Sequence, residues 1–376
     1  MRMPPTGQDR GAENDMKKNR KRCVKRSAIR SVASPICVLL LTAALLLGGC
    51  RLAKMPEGQS EPTDTIKLPQ DPISKNAFLL DTFVVITIYD SQDESLLEES
   101  LALCKRYEEQ LSRTIQTSEI AKINTRSAGT ERMAVSASTA ELIRKGLEYS
   151  RISGGAFDIT IEPVSSMWDF TSGQTELPDP ALLSEAVEKV GYEKISVEGE
   201  EVCFTSSDTR IELGAIAKGY IADKIKDYLL EKGVKSALIN LGGNVLCIGE
   251  KPDGLPFKVG LQKPFKDRNE TIAVLNIQDR SVVTSGVYER CFEKDGVNYH
   301  HILDPKSGYP YDNGLLSVTI VSPYSVDGDG LSTACFSLGL EEGIALLDTM
   351  PEVCGYFITE DYAVHYSEGA KELLQP

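Results

Sequence analysis

Ile211-Glu212-Leu213-Gly214-Ala215-Ile216-Ala217-Lys218-Gly219-Tyr220 is where the chain changes period. Up to Leu213 apolar residues alternate, as in a strand with one buried face; from about Ala215 to Glu231 they recur at helical spacing. Upstream, short strands are predicted around Ile195 to Val197, Glu201 to Phe204 and Arg210 to Leu213. Downstream, strands and turns dominate from Lys235 to Ile320, ahead of helices at Asp329 to Leu338 and Glu341 to Leu347. The amino-terminal half offers one strand, Ala77 to Tyr89, rich in β-branched and aromatic residues. A helix follows from Glu94 to Leu111, with Leu97, Leu101, Cys104, Tyr107 and Leu111 on one face. Another runs from Ser138 to Ile152, with Ser138 as N-cap and Glu141 completing a capping box, and Gly154-Gly155 ends it. Strand clusters alternate with helices without regular strand–helix–strand units. The expectation is an α+β fold, a mixed body with a strand-rich carboxy-terminal half.

Further out, the amino terminus has a different character. Lys17-Lys18-Asn19-Arg20-Lys21-Arg22 precedes an apolar stretch from Ile36 to Leu47, which ends in Gly48-Gly49-Cys50. A hydrocarbon core needs roughly 20 helical residues to cross, so this shorter stretch reads as the h-region of a cleaved signal. The chain from Met16 onward carries that signal whole. The small residues before Cys50 resemble a bacterial lipobox, in which the cysteine sulfur takes diacylglycerol. The expected organisation is a lipoprotein signal at 1–49, a lipidated Cys50 with a Pro-containing tether to residue 75, and a catalytic body at 76–376. Loss of residues 1–49 removes ten Lys and Arg and three acids, taking the net charge from −14 to −21. An acidic body of this kind disfavours nucleic acid, whose phosphates draw on clustered Lys and Arg. Attachment to the extracytoplasmic face of the cell membrane would then come from lipid. The six cysteines after Cys50 show no CxxC or Cys/His ligand spacing and read as free, mostly buried thiols.

Four constellations could carry chemistry. In Asp327-Gly328-Asp329-Gly330-Leu331-Ser332-Thr333, Asp329 and Thr333 stand four apart at a predicted helix start and share a face. They form either a pair of hard oxygen donors suited to Mg²⁺ or Ca²⁺, or a helix cap. An EF-hand is excluded, because Leu331 occupies its third acidic position. Gly214 to Gly219, with Lys218 in the first helical turn, is a phosphate cradle or a structural turn. Asn240-Leu241-Gly242-Gly243-Asn244 reads as a turn or a close backbone contact. His300-His301 precedes Leu303-Asp304-Pro305; in a strand the two rings point to opposite faces, so at most one of them serves a site as base.

Taken in order, Gly154 to Thr160 with Trp168, Glu212 to Tyr220 with Asp223, Leu241-Gly242-Gly243, Thr284 to Arg290, His301 to Pro305 with Gly308 and Pro310, and Asp329 to Thr333 closely resemble the ApbE family. These are FAD:protein FMN transferases, once described as thiamine-biosynthesis lipoproteins. The resemblance covers about residues 77 to 365. It implies Mg²⁺ held by the Ala215 carbonyl, Asp329 and Thr333, and FAD contacts from Ala156, Phe157, Asp158, Glu212, Lys218 and Leu303. Thr284, Ser285 and Gly286 would line the same cleft. The chain departs from the family with Leu80-Asp81-Thr82 for Met-Gly-Thr, Thr114 for an aromatic residue, and Glu212 for Asp, so Leu80 and Thr114 would reshape the flavin end of the pocket.

The implied reaction has His301 take a proton from a Thr or Ser hydroxyl of an acceptor protein, which attacks the FMN phosphorus as AMP leaves. Lys218 would steady the phosphate charge. The acceptor class implied is a membrane redox subunit with a short flavinylation motif. Two other readings use the same residues: an FAD pyrophosphatase giving FMN and AMP, and a lipoprotein that stores or delivers flavin.

Overall fold

A computed structural model describes residues 71–375 apart from 174, 268 and 269. The signal at 1–49, Cys50 and the tether as far as residue 70 lie outside the described residues. The fold is α+β, as the alternation of strand clusters with helices without regular strand–helix–strand units predicts. Its centre is an eight-stranded sheet in the order β1-β2-β6-β7-β10-β13-β14-β15. The strands are β1 (Ile73–Leu79), β2 (Thr82–Ile88), β6 (Ala237–Leu241), β7 (Asn244–Ile248), β10 (Ser281–Gly286), β13 (Leu315–Ser322), β14 (Cys354–Thr359) and β15 (Val364–Tyr366). Every neighbouring pair is antiparallel. Smaller ribbons join β3 (Arg132–Ala134), β5 (Glu201–Phe204) and β4 (Ile195–Glu198), then β8 (Phe257–Gln262) with β9 (Thr271–Ile277), and β11 (Cys291–Lys294) with β12 (Val297–His300).

One face of the sheet is covered by helices Glu94–Leu111, Ala217–Glu231 and Ser325–Leu338. Val84, Ile86 and Ile88 alternate inward from β2 to meet Leu97, Cys104, Ile221, Ile225 and Leu229. The other face carries the β8–β9 hairpin, where Phe257, Leu261 and Leu275 pack on Cys247, Val282 and Tyr356. Strand β13, between the two layers, is buried at all eight positions, so its side chains are apolar or hydroxylic on both faces.

Four sequence expectations are corrected. The strand at Ala77 to Tyr89 is a hairpin: Leu80 and Asp81 both take left-handed backbone (φ 56° and 54°), the geometry of a tight two-residue turn, although neither is Gly or Asn. Its first strand starts at Ile73 and so takes in the last three tether residues. The helix before Gly154 is Ala137–Ile152, capped by Ser136, whose hydroxyl accepts from the Thr139 amide. Glu141 instead accepts from the Tyr220 hydroxyl at 2.6 Å. Arg210 to Leu213 is extended but joins no sheet; its backbone is held by the Asn124 side chain, which bonds the Ile211 amide and carbonyl at 2.8 Å each. Finally, the helix bearing Asp329 begins one turn earlier, at Ser325. All six described cysteines are free, as expected.

Candidate active site

Two helix starts meet beside the sheet. Asp223, one turn into the Ala217–Glu231 helix, accepts from the amides of Ser325 and Val326 at 2.8 and 2.9 Å and so caps the neighbouring Ser325–Leu338 helix. The helices pack closely: a Cβ at Gly219 would lie 2.2 Å from the Ser325 carbonyl oxygen, one at Gly328 2.6 Å from Val283, and one at Gly330 2.3 Å from Tyr149. The glycines of the Asp327-to-Gly330 run are therefore contact points in a buried helix. They do not form a loop.

Asp329 occupies the second turn of that helix and is 4% exposed. Its Oδ2 accepts from the Gly219 amide, and its Oδ1 from Asn244 Nδ2 at 3.0 Å. Asp329 thus does not cap its own helix; its partners are the first turn of the Ala217–Glu231 helix and a strand residue. Ala215 precedes the N-cap Ile216 of that helix, so its carbonyl receives none of the helix's bonds, the first of which runs from Tyr220 to Ile216. Thr333 stands one turn beyond Asp329; its hydroxyl meets Ser285 Oγ at 3.1 Å, and Ser285 also meets Ser332 at 2.8 Å. Burial raises the pKa of Asp329, and the positive charge of Lys218 and the two hydrogen bonds act against it.

Lys218 also lies within electrostatic reach of His301, which joins the histidine to the same centre. The two histidines separate at the end of β12, whose last residue is His300, with His301 in the bend that follows. His300 is 4% exposed, bonds the Tyr311 carbonyl at 2.9 Å and sits edge-on to Phe336, a core role. His301 is exposed, with its Nδ1 3.3 Å from the Arg290 carbonyl oxygen. Desolvation there, followed by the charges of His300, Arg290 and Lys218, pushes its pKa down to about 3. Its imidazole is neutral at pH 7.

The remaining expected contacts form a second group. Glu212 pairs with Arg113 at 3.2 Å and accepts from the Ser165 hydroxyl, while its amide ties to the Ile159 carbonyl at 2.8 Å. Asp158 is 7% exposed, and its carboxylate is taken by Thr160 at 2.7 Å and the Tyr192 amide at 2.8 Å; burial raises its pKa despite these bonds. Phe157 is in the core, edge-on to Tyr149, and Leu303 packs with Trp168. Of this loop, Ala156 stays partly exposed, with its carbonyl bonded to Tyr311. Thr284 pairs with Thr319 at 2.8 Å and Gly286 is buried at the end of β10. Leu80, at the hairpin tip, donates its amide to Glu108 at 2.7 Å, and the adjoining Thr82 fills the space beside Gly242.

Asn244, Arg113 and Asp223 are functional-site residues whose roles the sequence did not disclose. Asn244 lies in a noted motif, but its partner Asp329 is 85 residues away and no local pattern points to it.

Fold and site together define an α+β enzyme domain, built on one large antiparallel sheet with smaller ribbons, whose centre combines a buried carboxylate, a lysine and a neutral imidazole. The chain belongs to the ApbE family, whose model matches residues 80–357. It is 39% identical over 306 residues to an FAD:protein FMN transferase of Klebsiella pneumoniae (strain 342), covering 81% of this chain and 94% of that protein. It is 34% identical over 315 residues to one of Treponema pallidum (strain Nichols), covering 79% and 87%. Among solved structures, the ApbE protein of Thermotoga maritima aligns with a TM-score of 0.75 at 30% identity, over 81% of this chain and 100% of that one. The flavin transferase ApbE from Vibrio cholerae aligns at 0.74 and 25%, with the same coverage.

Proposed function

We propose that this chain is a lipid-anchored FAD:protein FMN transferase on the extracytoplasmic face of the cell membrane, which moves FMN from FAD to a Ser or Thr hydroxyl of an acceptor protein. The observation that carries this reading is Asp329, buried one turn from Thr333 and bonded to the helix start that the Ala215 carbonyl precedes. The three are hard oxygen donors of the kind Mg²⁺ takes. Among the described residues no three His, Cys, Asp or Glu side chains gather around one point. A single carboxylate with a hydroxyl and a carbonyl suits a cation that leaves positions for phosphate oxygens and water. When bound, such a cation neutralises charge on the pyrophosphate of FAD.

This chain's own residues supply the rest. Lys218, whose charge acts on both Asp329 and His301, offsets the charge that grows on the phosphate oxygens as the anhydride bond breaks. His301 is neutral and accepts the proton from the acceptor hydroxyl. The oxygen forms its bond to the FMN phosphorus, the bond to the AMP phosphate breaks, and AMP leaves with the electron pair. Asn244 holds Asp329 in place, since its amide is oriented by Ser325, whose hydroxyl donates to Asn244 Oδ1 at 2.8 Å.

The test is to incubate the protein with FAD, Mg²⁺ and candidate membrane redox subunits, and to follow AMP together with flavin fluorescence on the acceptor band. AMP with a fluorescent acceptor is the expected result. AMP without flavin on any protein would replace transfer by hydrolysis, and FAD bound without AMP would leave only storage. The lipid anchor is tested separately by mass spectrometry of the mature amino terminus, where an unmodified Cys50 overturns it.

A further inference from the structure

His300 and His301 are adjacent, yet their hydrogen bonds require protons on different ring nitrogens. A neutral imidazole carries one N–H, and the partner of either nitrogen decides where it sits. In His300, Nε2 lies 2.9 Å from the Tyr311 carbonyl oxygen and Nδ1 lies 3.3 Å from the Ile302 amide. A carbonyl only accepts and an amide N–H only donates, so His300 is the Nε2–H tautomer. In His301, Nδ1 lies 3.3 Å from the Arg290 carbonyl oxygen, which also accepts from the His301 amide at 3.2 Å. The same rule makes His301 the Nδ1–H tautomer, and its Nε2 takes no hydrogen bond among the described residues.

Arg290 ends the short connection, residues 287–290, between β10 and β11. Backbone bonds hold that connection firmly only at its near end, where the Val287 amide donates to the Leu316 carbonyl at 3.0 Å. The Glu289 amide reaches the Gly286 carbonyl, and Asn298 Nδ2 the Val287 carbonyl, at 3.4 Å each. Tyr288 supplies the missing hold. Its ring fills the space beside Gly286, where a Cβ would come within 2.8 Å of Cε1, and Phe265 meets that ring edge-on at 5.9 Å. Phe265 belongs to the connection between β8 and β9, is 51% exposed and has left-handed backbone (φ 57°), which a bulky residue rarely adopts. It joins no core cluster; the ring it meets is Tyr288. Strain of this kind persists where the surroundings need the side chain in place.

We infer that Tyr288, braced by Phe265, is a positioning residue for the proton transfer: it fixes the Arg290 carbonyl, which holds the His301 ring protonated at Nδ1 and leaves Nε2 as the atom that takes the proton. The inference rests on the transfer reading, in which His301 is the base. As the acceptor oxygen bonds the FMN phosphorus, its O–H bond breaks and the proton moves to Nε2. The ring becomes an imidazolium whose Nδ1–H still donates to the carbonyl. The opposite tautomer would carry its proton on Nε2 and accept nothing there. His300, tied to Tyr311 and the Ile302 amide, keeps that opposite form and is an internal reference.

The experiment uses the full chain in detergent with ¹⁵N-labelled histidine, read by NMR at pH 7. The chain has three histidines, so His300→Gln, His301→Gln and His365→Gln assign every ring signal. The ring nitrogen shifts should show His301 protonated at Nδ1 and His300 at Nε2. Phe265→Ala and Tyr288→Leu should each turn His301 into a mixture of tautomers and lower kcat for FMN transfer roughly tenfold. The His300 signals should stay in place, which reports that the variants fold, and Phe265→Ala should keep the KM for FAD. Tyr288→Phe, which retains the ring, should keep both the tautomer and the rate. His301 protonated at Nε2 in the wild type overturns the inference. So does a tautomer unchanged in Phe265→Ala, or one that shifts with kcat unaltered. If Tyr288→Leu disturbs His300 as well, Phe265→Ala decides alone, since its half-exposed ring lies outside the core. Failure of the transfer reading shows in a different measurement, as AMP release with no flavin on any protein, whereas the tautomers are read without an acceptor.

Discussion

Asn244 and Asp329 form a buried pair whose value is geometric. Ser281 meets Ser325, Ser325 donates to Asn244, and Asn244 donates to Asp329, each link between 2.8 and 3.0 Å. Asn244→Ala removes the Oδ1 partner of Asp329 and the acceptor of the Ser325 hydroxyl, so stability should fall by about 1–3 kcal/mol. Divalent-cation affinity should drop by roughly 10–100-fold, as when a supporting partner of a metal ligand is lost; calorimetric titration of Mg²⁺ into the FAD-free protein measures this. His301→Ala should slow FMN transfer by about 10²–10⁴-fold with FAD binding intact. Because the pKa of His301 is pushed down to about 3, its base form is present throughout pH 5 to 8 and is lost only as pH falls toward that value. The wild-type rate should therefore show no His301 limb near pH 6.5. A limb there that vanished in the alanine variant would refute the neutral-base assignment.

At the scale of elements, the site depends on how closely two helices approach. Gly219 faces the start of the Ser325–Leu338 helix so tightly that Gly219→Ala must push the two apart, at about 2–3 kcal/mol, measurable by urea unfolding. The same displacement withdraws the Gly219 amide from Asp329, so Mg²⁺ affinity should fall with stability. The β1–β2 hairpin is a case where propensity misleads. Its turn residues Leu80 and Asp81 are unusual for left-handed backbone, so the apolar run conceals the turn; Asp81→Gly should raise stability by about 0.5–1 kcal/mol in the same unfolding assay. The helix expected from about Glu94 to Leu111, by contrast, is where its five apolar positions at helical spacing put it, and Asp93 caps it.

For the molecule as a whole, stability should depend on the protonation of Asp223. Burial raises its pKa to about 7, against the pull of its two hydrogen bonds to backbone amides. The folded state therefore keeps a proton that the unfolded chain gives up near the ordinary value of 3.8, so stability is greatest below that ordinary value and falls as pH rises toward about 7. The melting temperature should be lower at pH 8 than at pH 5, and the difference should shrink in Asp223→Asn. Equal pH dependence in the two proteins would remove Asp223 as the cause.

The sequence by itself determined the fold class, most helix bounds and the family, because those rest on local periodicity and on short motifs in fixed order. It also brought Asp329 and Thr333 to one helix face, since a four-residue spacing does that in any α-helix. It did not reveal that Asp329 takes the Gly219 amide, that Asn244 orients it, or that His300 is buried while His301 is exposed. Those contacts join residues 85 to 110 positions apart, and they exist only once the sheet and the glycine-lined helix crossing have set the distances.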